Sequence, residues 1–379
     1  MESPIESLFI VGAGFSSNAG LPLASEFTKE LLDVERLKGN SLSTILAKFV
    51  SHFVADVFGN GVLNNHNDWP SLEDLFTIID LTANTGHSLG RNYPASELRT
   101  VRRALIVRLM RMLSNSLLRN QKKPSNQYRL LVEFLENVDT DNSAFLSMNW
   151  DVVIENILTT NQKKYDIEYG CNATAARFTR GVARLRRGRP PQNSFTILKP
   201  HGSVNWMYCD TCSRIFWFPP DQTTTIASRL FKGNDRNTVR KLLGEDIRKD
   251  IKPASCPACG ARSLGTRLAT FSYRKALEFP MHQATWSRAE DLLREARNWV
   301  FVGYSLPAAD YQFKHMLKKT QLARQKNPKI ILITKDPSEE TIRNYQRFFG
   351  RSALPDSSVF NNGISDEAII ALKKKGVFQ

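Results

Sequence analysis

Short apolar runs, each ending abruptly in glycine or a polar cluster, constrain this 379-residue chain more than any other feature. The first, Leu8 to Val11, leads straight into Gly12-Ala13-Gly14 and reads as a buried strand feeding a glycine turn. Comparable runs occur at 143–149 (SAFLSMN), 194–203 (SFTILKPHGS), 298–306 (NWVFVGYSL) and 329–334 (KIILIT). Helical spacing follows several of them: Pro22 to Val34, DVVIENIL after Asn149 and Trp150, and DYQFKHMLKK from Asp310. Strands alternating with helices predict an α/β chain with a mostly parallel, doubly wound sheet. In such sheets the ligand lies beyond the carboxyl ends of the strands. The clusters Gly12-Ala13-Gly14, Asn149, His201-Gly202-Ser203 and Gly303-Tyr304-Ser305 all fall there.

From about Ser41 to Asn137 apolar residues recur at three and four, which predicts a helical insertion. Ser71, followed by Asp74 just before LFTIIDL, reads as a helix cap. With 41% hydrophobic residues the chain can bury a sizeable core. No apolar run approaches the roughly 20 residues of a membrane helix. The N-terminus shows no basic region followed by an apolar core and cleavage site, so a cytoplasmic protein without membrane partners is expected.

Lys and Arg total 52 against 37 Asp and Glu, a net +15, and the excess is clustered. Residues 98–123 carry eight basic residues and 177–189 six arginines, with no acid in either stretch. Such stretches suit nucleic acid, an acidic partner or phosphate-bearing ligands. A solvated helix face and a basic loop account for them equally well.

The glycine turn and the start of its helix form a natural anion site, suited to a pyrophosphate. Yet the dehydrogenase fingerprint G-x-G-x-x-G wants a third glycine where Ser17 stands, and the next is Gly20. In SMNWD, Asn149 sits at a strand tip, where a neutral amide can orient a water or a ribose hydroxyl. Asp151 accepts from a carboxamide or, more simply, caps the following helix. His201 follows an apolar strand and precedes Gly-Ser, with an imidazole suited to taking a proton near neutral pH. Gly303 and Ser305 are candidates to approach phosphate or ribose, and Asp310 reads as a cap for YQFKHML. CDTC and CPAC place Cys209, Cys212, Cys256 and Cys259 as two knuckles for a four-thiolate, structural zinc. The 43 residues between Cys212 and Cys256 imply an inserted loop.

Together these residues resemble the sirtuin family. GAGFSSNAGLP is similar to its G-A-G-I-S-x-x-x-G-I-P loop, MNWD to Q-N-I-D, HGS to its catalytic His-Gly and GYSL to G-T-S-L, in the family's order. The four cysteines match its zinc module. The resemblance implies a Rossmann-like NAD-binding catalytic domain at 1–204 and 266–379, the insertion 41–137 within it, and a zinc-binding module at 205–265. It implies His201 as general base and Asn149 as the amide that positions the ribose or the attacking water. Ser16, Asn149 and Asp151 would line the nicotinamide pocket; Gly12, Ala13, Gly14, Gly303 and Ser305 would meet phosphates and ribose. Thr334 replaces the asparagine usual at an adenosine-ribose contact.

Deacylating members continue G-I-P with D-F-R, where this chain has Leu23-Ala24-Ser25. Their F-G-E segment has no counterpart in LATFSYRKALEFP. NWD, KPHGS, GYSLPAAD, the helix around Trp286 and the helical insertion instead resemble the bacterial antiphage-defence branch, whose members hydrolyse NAD+. That branch implies a homo-oligomer and a separate partner such as a HerA-type translocase ATPase.

Overall fold

The computed structural model describes residues 5–33, 41–65, 68–161, 165–186, 193–231, 233–245, 247, 253–262, 264–266, 268 and 280–378. Among the described residues, twelve strands form two sheets. They are β1 (Ser7–Val11), β2 (Ser143–Ser147), β3 (Tyr165–Glu168), β4 (Ala173–Thr179), β5 (Val182–Leu185), β6 (Asn193–Leu198), β7 (Trp206–Cys209), β8 (Arg214–Trp217), β9 (Leu264–Gly265), β10 (Asn298–Val302), β11 (Lys329–Ile333) and β12 (Val359–Phe360).

The larger sheet runs β12-β11-β10-β1-β2-β6-β3, with every pair parallel. Its central strands β1, β2 and β10 are buried along their whole length and mostly apolar, because both faces are covered. Phe9 and Val11 belong to one core with Phe145, Val300 and Ile331, while Leu8 and Ile10 join Leu146, Trp299 and Leu332 in the other. Helices Pro280–Glu295, Tyr311–Ala323 and Glu340–Phe349 cover the second face through Leu292, Phe313 and Tyr345. From β1 the chain passes to β2 on one side, and β10 enters on the other. The strand order therefore reverses between β1 and β10, which opens a crevice at their carboxyl ends.

Among the described residues, 41–137 supply four α-helices, Leu42–Phe58, Leu72–Asn84, Ala95–Lys122 and Asn126–Glu136. Ser71 caps the second, its Oγ accepting from Asp74 N at 3.0 Å. The helix expected at Pro22–Val34 forms differently. A five-residue helix, Ala13–Ser17, starts directly after Gly12, and the next α-helix begins only at Phe27. Gly20 adopts φ +73° and turns the chain out of the first helix. Leu23 N then donates to Glu26 Oε2 at 2.9 Å, which holds residues 23–26 in a tighter turn before Phe27.

The basic stretch 98–123 lies on helix Ala95–Lys122, and five of its eight cations hold the fold together. Arg99 donates to the Ala83 carbonyl, Arg102 meets Asp80 at 2.7 Å, Arg103 meets Asp235 at 3.0 Å, and Arg111 donates to Ser43 at 2.7 Å. Arg108 is buried and donates to the Leu31 carbonyl at 2.9 Å; burial, with Arg111 beside it, pushes its guanidinium down to about 10. Arg102, Arg103, Arg108 and Arg111 are thus at least partly buried, whereas Arg99, Arg119, Lys122 and Lys123 are exposed.

The smaller sheet runs β5-β4-β8-β7-β9. It joins the cysteine-bearing strands to the β4–β5 hairpin, which precedes residue 205 in the chain. This hairpin carries Arg177 directly opposite Arg184; Arg186 pairs with Asp166 at 3.3 Å. Arg187 and Arg189 lie outside the described residues. Among the described residues, no helix is long and apolar enough to cross a membrane.

Candidate active site

Five strands of the larger sheet end at one cleft. The loop after β1 and the loop after β10 approach so closely that only glycine fits. Gly303 has φ +60°, and a Cβ there would lie 2.1 Å from Phe15 N. A Cβ on Gly12 would fall 2.7 Å from the Gly303 carbonyl oxygen. Backbone bonds fix this approach: Gly12 N donates to the Val302 carbonyl at 3.2 Å and Gly14 N to the Gly303 carbonyl at 2.9 Å. The glycine turn was expected to offer its amides to an anion. The structure commits two of them to the end of β10 and the loop after it, so these glycines serve close approach first.

Asn149, just beyond β2, is locked against that turn. Its Nδ2 donates to the Gly12 carbonyl at 2.8 Å and to Ser16 Oγ at 2.9 Å. Because a carbonyl only accepts, the NH2 end must face Gly12, which leaves Oδ1 as the acceptor end of the amide. Ser16 Oγ donates in turn to Asp151 Oδ2 at 2.7 Å. Asp151 Oδ1 accepts from Val153 N at 3.0 Å, so the same carboxylate also caps the following helix, Val153–Asn161.

His201 follows β6 on a loop shaped by Gly202 at φ +81° and tied down by Trp286 Nε1, which donates to the Pro200 carbonyl at 3.2 Å. The imidazole is buried, with Nδ1 3.3 Å from the Met148 carbonyl. A proton on Nδ1 satisfies that carbonyl and makes Nε2 the acceptor nitrogen of the ring. Nε2 lies 3.9 Å from Asp310 Oδ1. Asp310 was read as a helix cap. It occupies the N-cap position of helix Tyr311–Ala323 but makes no side-chain cap bond. Its carboxylate accepts instead from Tyr304 Oη at 2.8 Å. Burial, reinforced by Asp310, holds the Tyr304 phenol well above its ordinary value. Sequence reading missed Tyr304 and Asp310 as a pair because their meeting depends on the loop after β10 folding back.

A buried ion pair lies behind these loops. Lys199, at 0% exposure, sets Nζ 2.9 Å from Glu155 Oε1 and donates to the Asp151 carbonyl. Burial raises the Glu155 carboxyl above its ordinary value, opposed by the Lys199 charge. Tyr169 Oη donates to Glu155 at 3.4 Å and accepts from Asn205 Nδ2 at 3.1 Å. The Tyr169 ring meets Trp206 and Trp217 edge to face, at 5.0 and 5.9 Å. The ends of β2 and β6 are thereby tied to the cysteine-bearing sheet.

The cleft encloses about 850 Å³, in the range of ligand pockets. Gly12, Ala13, Gly14, Ser16, Asn149, Asp151, His201, Gly303, Ser305 and Thr334 all line it. Thr334 sits beyond β11, its amide donating to the Phe360 carbonyl at 2.9 Å. Nearby Asp336 also lines the cleft, but hydrogen bonds from Ser338 and Thr341 hold its carboxyl down at about 2 and engage it locally.

Away from the cleft, Cys209 Sγ lies 3.7 Å from Cys259 Sγ, and Cys212 Sγ 3.7 Å from Cys256 Sγ. All four sulfurs fall within 4.8 Å of one another. Four thiolates about 2.3 Å from a tetrahedral zinc stand about 3.8 Å apart, so this donor set fits zinc. Protein would fill all four positions, leaving no open one for catalysis.

No family model and no curated protein matches this chain. Similar solved structures include a Sir2 homologue complexed with NAD, at 13% identity and TM-score 0.42, covering 99% of this chain and 92% of that one. A Sir2 complex with a p53 peptide and NAD+ shows 12% identity and TM-score 0.37, with 99% and 95% covered. A further Sir2 enzyme structure gives 12% identity and TM-score 0.33, again over 99% and 95%. Superpositions this loose leave the function of the present chain to its own residues.

Proposed function

We propose that the cleft binds NAD+ and hydrolyses the bond between nicotinamide and ribose, releasing nicotinamide and ADP-ribose. The observation that carries this reading is the convergence of Asn149, His201 and the Gly12–Gly14 turn on one cleft at the strand-order reversal. Cleavage of that glycosidic bond passes through an oxocarbenium-like state, and cationic nicotinamide is already a good leaving group. The site must then hold the ribose and activate a water, mainly by positioning. Asn149 Oδ1, fixed by the two bonds made at Nδ2, supplies an acceptor for a ribose hydroxyl or the water. His201 Nε2 supplies the base, and Ser16 and Asp151 offer a polar wall for the carboxamide.

The motif resemblance noted above supports a role in antiphage defence by depletion of NAD+. It also supports assembly as a homo-oligomer with a HerA-type translocase ATPase. Light scattering on the protein alone and with a co-expressed ATPase tests that assembly; a strict monomer in both samples refutes it. The four cysteines would hold a structural zinc.

Chromatography of NAD+ incubated with the full chain, with and without an acetyl-lysine peptide, tests the chemistry. ADP-ribose and nicotinamide should form without peptide and vanish in Asn149→Ala and His201→Ala. Turnover only with peptide, giving acetyl-ADP-ribose, would replace the hydrolase with a protein deacylase. No turnover in any sample, even with the ATPase present, would leave a binding scaffold.

A further inference from the structure

Asp310 faces the reacting end of the cleft as a buried carboxylate, 8% exposed, on the opposite side of His201 from the Met148 carbonyl. One of its oxygens is engaged by Tyr304 Oη at 2.8 Å. The other lies 3.9 Å from His201 Nε2. That distance is too long for a direct hydrogen bond and close to the span that one water bridges when it donates to two acceptors. A water so held has both protons engaged and its lone pairs left for attack.

We infer that Asp310 is a further catalytic residue, which together with His201 holds and deprotonates the water that attacks the ribose; the inference rests on the hydrolase reading above. The C1′–N bond breaks and its electron pair leaves with nicotinamide, which becomes neutral. The water oxygen bonds to C1′, one of its protons passes to His201 Nε2, and the other stays on the new hydroxyl of ADP-ribose. Asp310 balances the imidazolium charge while the proton resides there.

Asp310→Asn tests this in the full chain, because an asparagine oxygen still accepts from Tyr304 Oη while the charge is gone. NAD+ affinity by titration calorimetry should stay unchanged while kcat falls roughly 100-fold, the usual scale for losing a general-base contribution. With methanol added, the share of methyl ADP-riboside among the products should rise, since selection of water is lost. Turnover near wild type, or affinity and kcat falling in parallel, would reduce Asp310 to a structural acceptor. If Asp310→Asn does not fold, Tyr304→Phe loosens the carboxylate without removing it; an unchanged methanol share then overturns the inference. Absence of hydrolysis in the wild-type protein overturns the hydrolase reading itself, an outcome separate from hydrolysis that is indifferent to residue 310.

Discussion

At the scale of single residues, the cleft depends on groups that have no tolerable substitute. Gly303 combines φ +60° with a Cβ position only 2.1 Å from a backbone nitrogen, so even alanine must push the two loops apart. Gly303→Ala is expected to cost roughly 1–3 kcal/mol from backbone strain alone. A larger effect should appear in NAD+ affinity, because Asn149 is aligned by the Gly12 carbonyl on the opposing loop. Denaturant unfolding and calorimetric titration on the same variant check both. Stability and affinity at wild-type levels would mean the loops are not held as tightly as the interleaved glycines imply. The glycines and Asn149 were legible as strand-end residues. Their grouping with Ser16 and Asp151 came only from the family resemblance, since Asn149 reaches Ser16 across 133 residues and Ser16 reaches Asp151 across 135.

Elements are held in register by the Lys199–Glu155 pair, which joins the end of β6 to the helix after β2. Removing one partner leaves an uncompensated charge in the interior, and Lys199→Met should cost about 3–5 kcal/mol near neutral pH. The pH dependence of that loss has a definite sign. Burial already raises the Glu155 carboxyl in the folded state, and losing the lysine raises it further. A folded carboxyl above its unfolded value binds protons more readily when folded. The variant should therefore be most stable in mild acid and lose stability as pH rises through the raised value. Denaturant melts of Lys199→Met across that range check this, and a flat profile relative to wild type would refute it. Strand and helix boundaries followed the apolar pattern closely here. The segment after the glycine turn did not, because a glycine at positive φ and a glutamate accepting a backbone amide outweighed its helical spacing.

Across the whole molecule, the smaller sheet carries the cluster of Cys209, Cys212, Cys256 and Cys259, which would staple it if zinc is bound, and contacts the site through Tyr169, Trp206 and Trp217. Chelation under mildly destabilising conditions should release about one zinc per chain. The melting temperature should fall, and the near-ultraviolet signal of the buried tryptophans should change with it. Metal analysis beside calorimetry checks the link; full release with an unaltered melt would show the cluster to be dispensable. Spacing alone determined several features of this protein. Apolar runs covered on both faces set a parallel α/β sheet, C-x-x-C pairs gathered four thiols, and polar strand ends marked the cleft. The runs, the strand ends and each C-x-x-C pair are properties of residues close together in the chain, while the meeting of the two pairs spans 44 to 50 residues. Only the tertiary structure decided where the glycine amides point, that Asp310 comes to lie near His201, that Arg102, Arg103, Arg108 and Arg111 take partners within the fold, and that the β4–β5 hairpin joins the cysteine-bearing strands. Those outcomes hang on which strands become neighbours, a choice made by long-range burial and by the pairing of polar groups that no local pattern records.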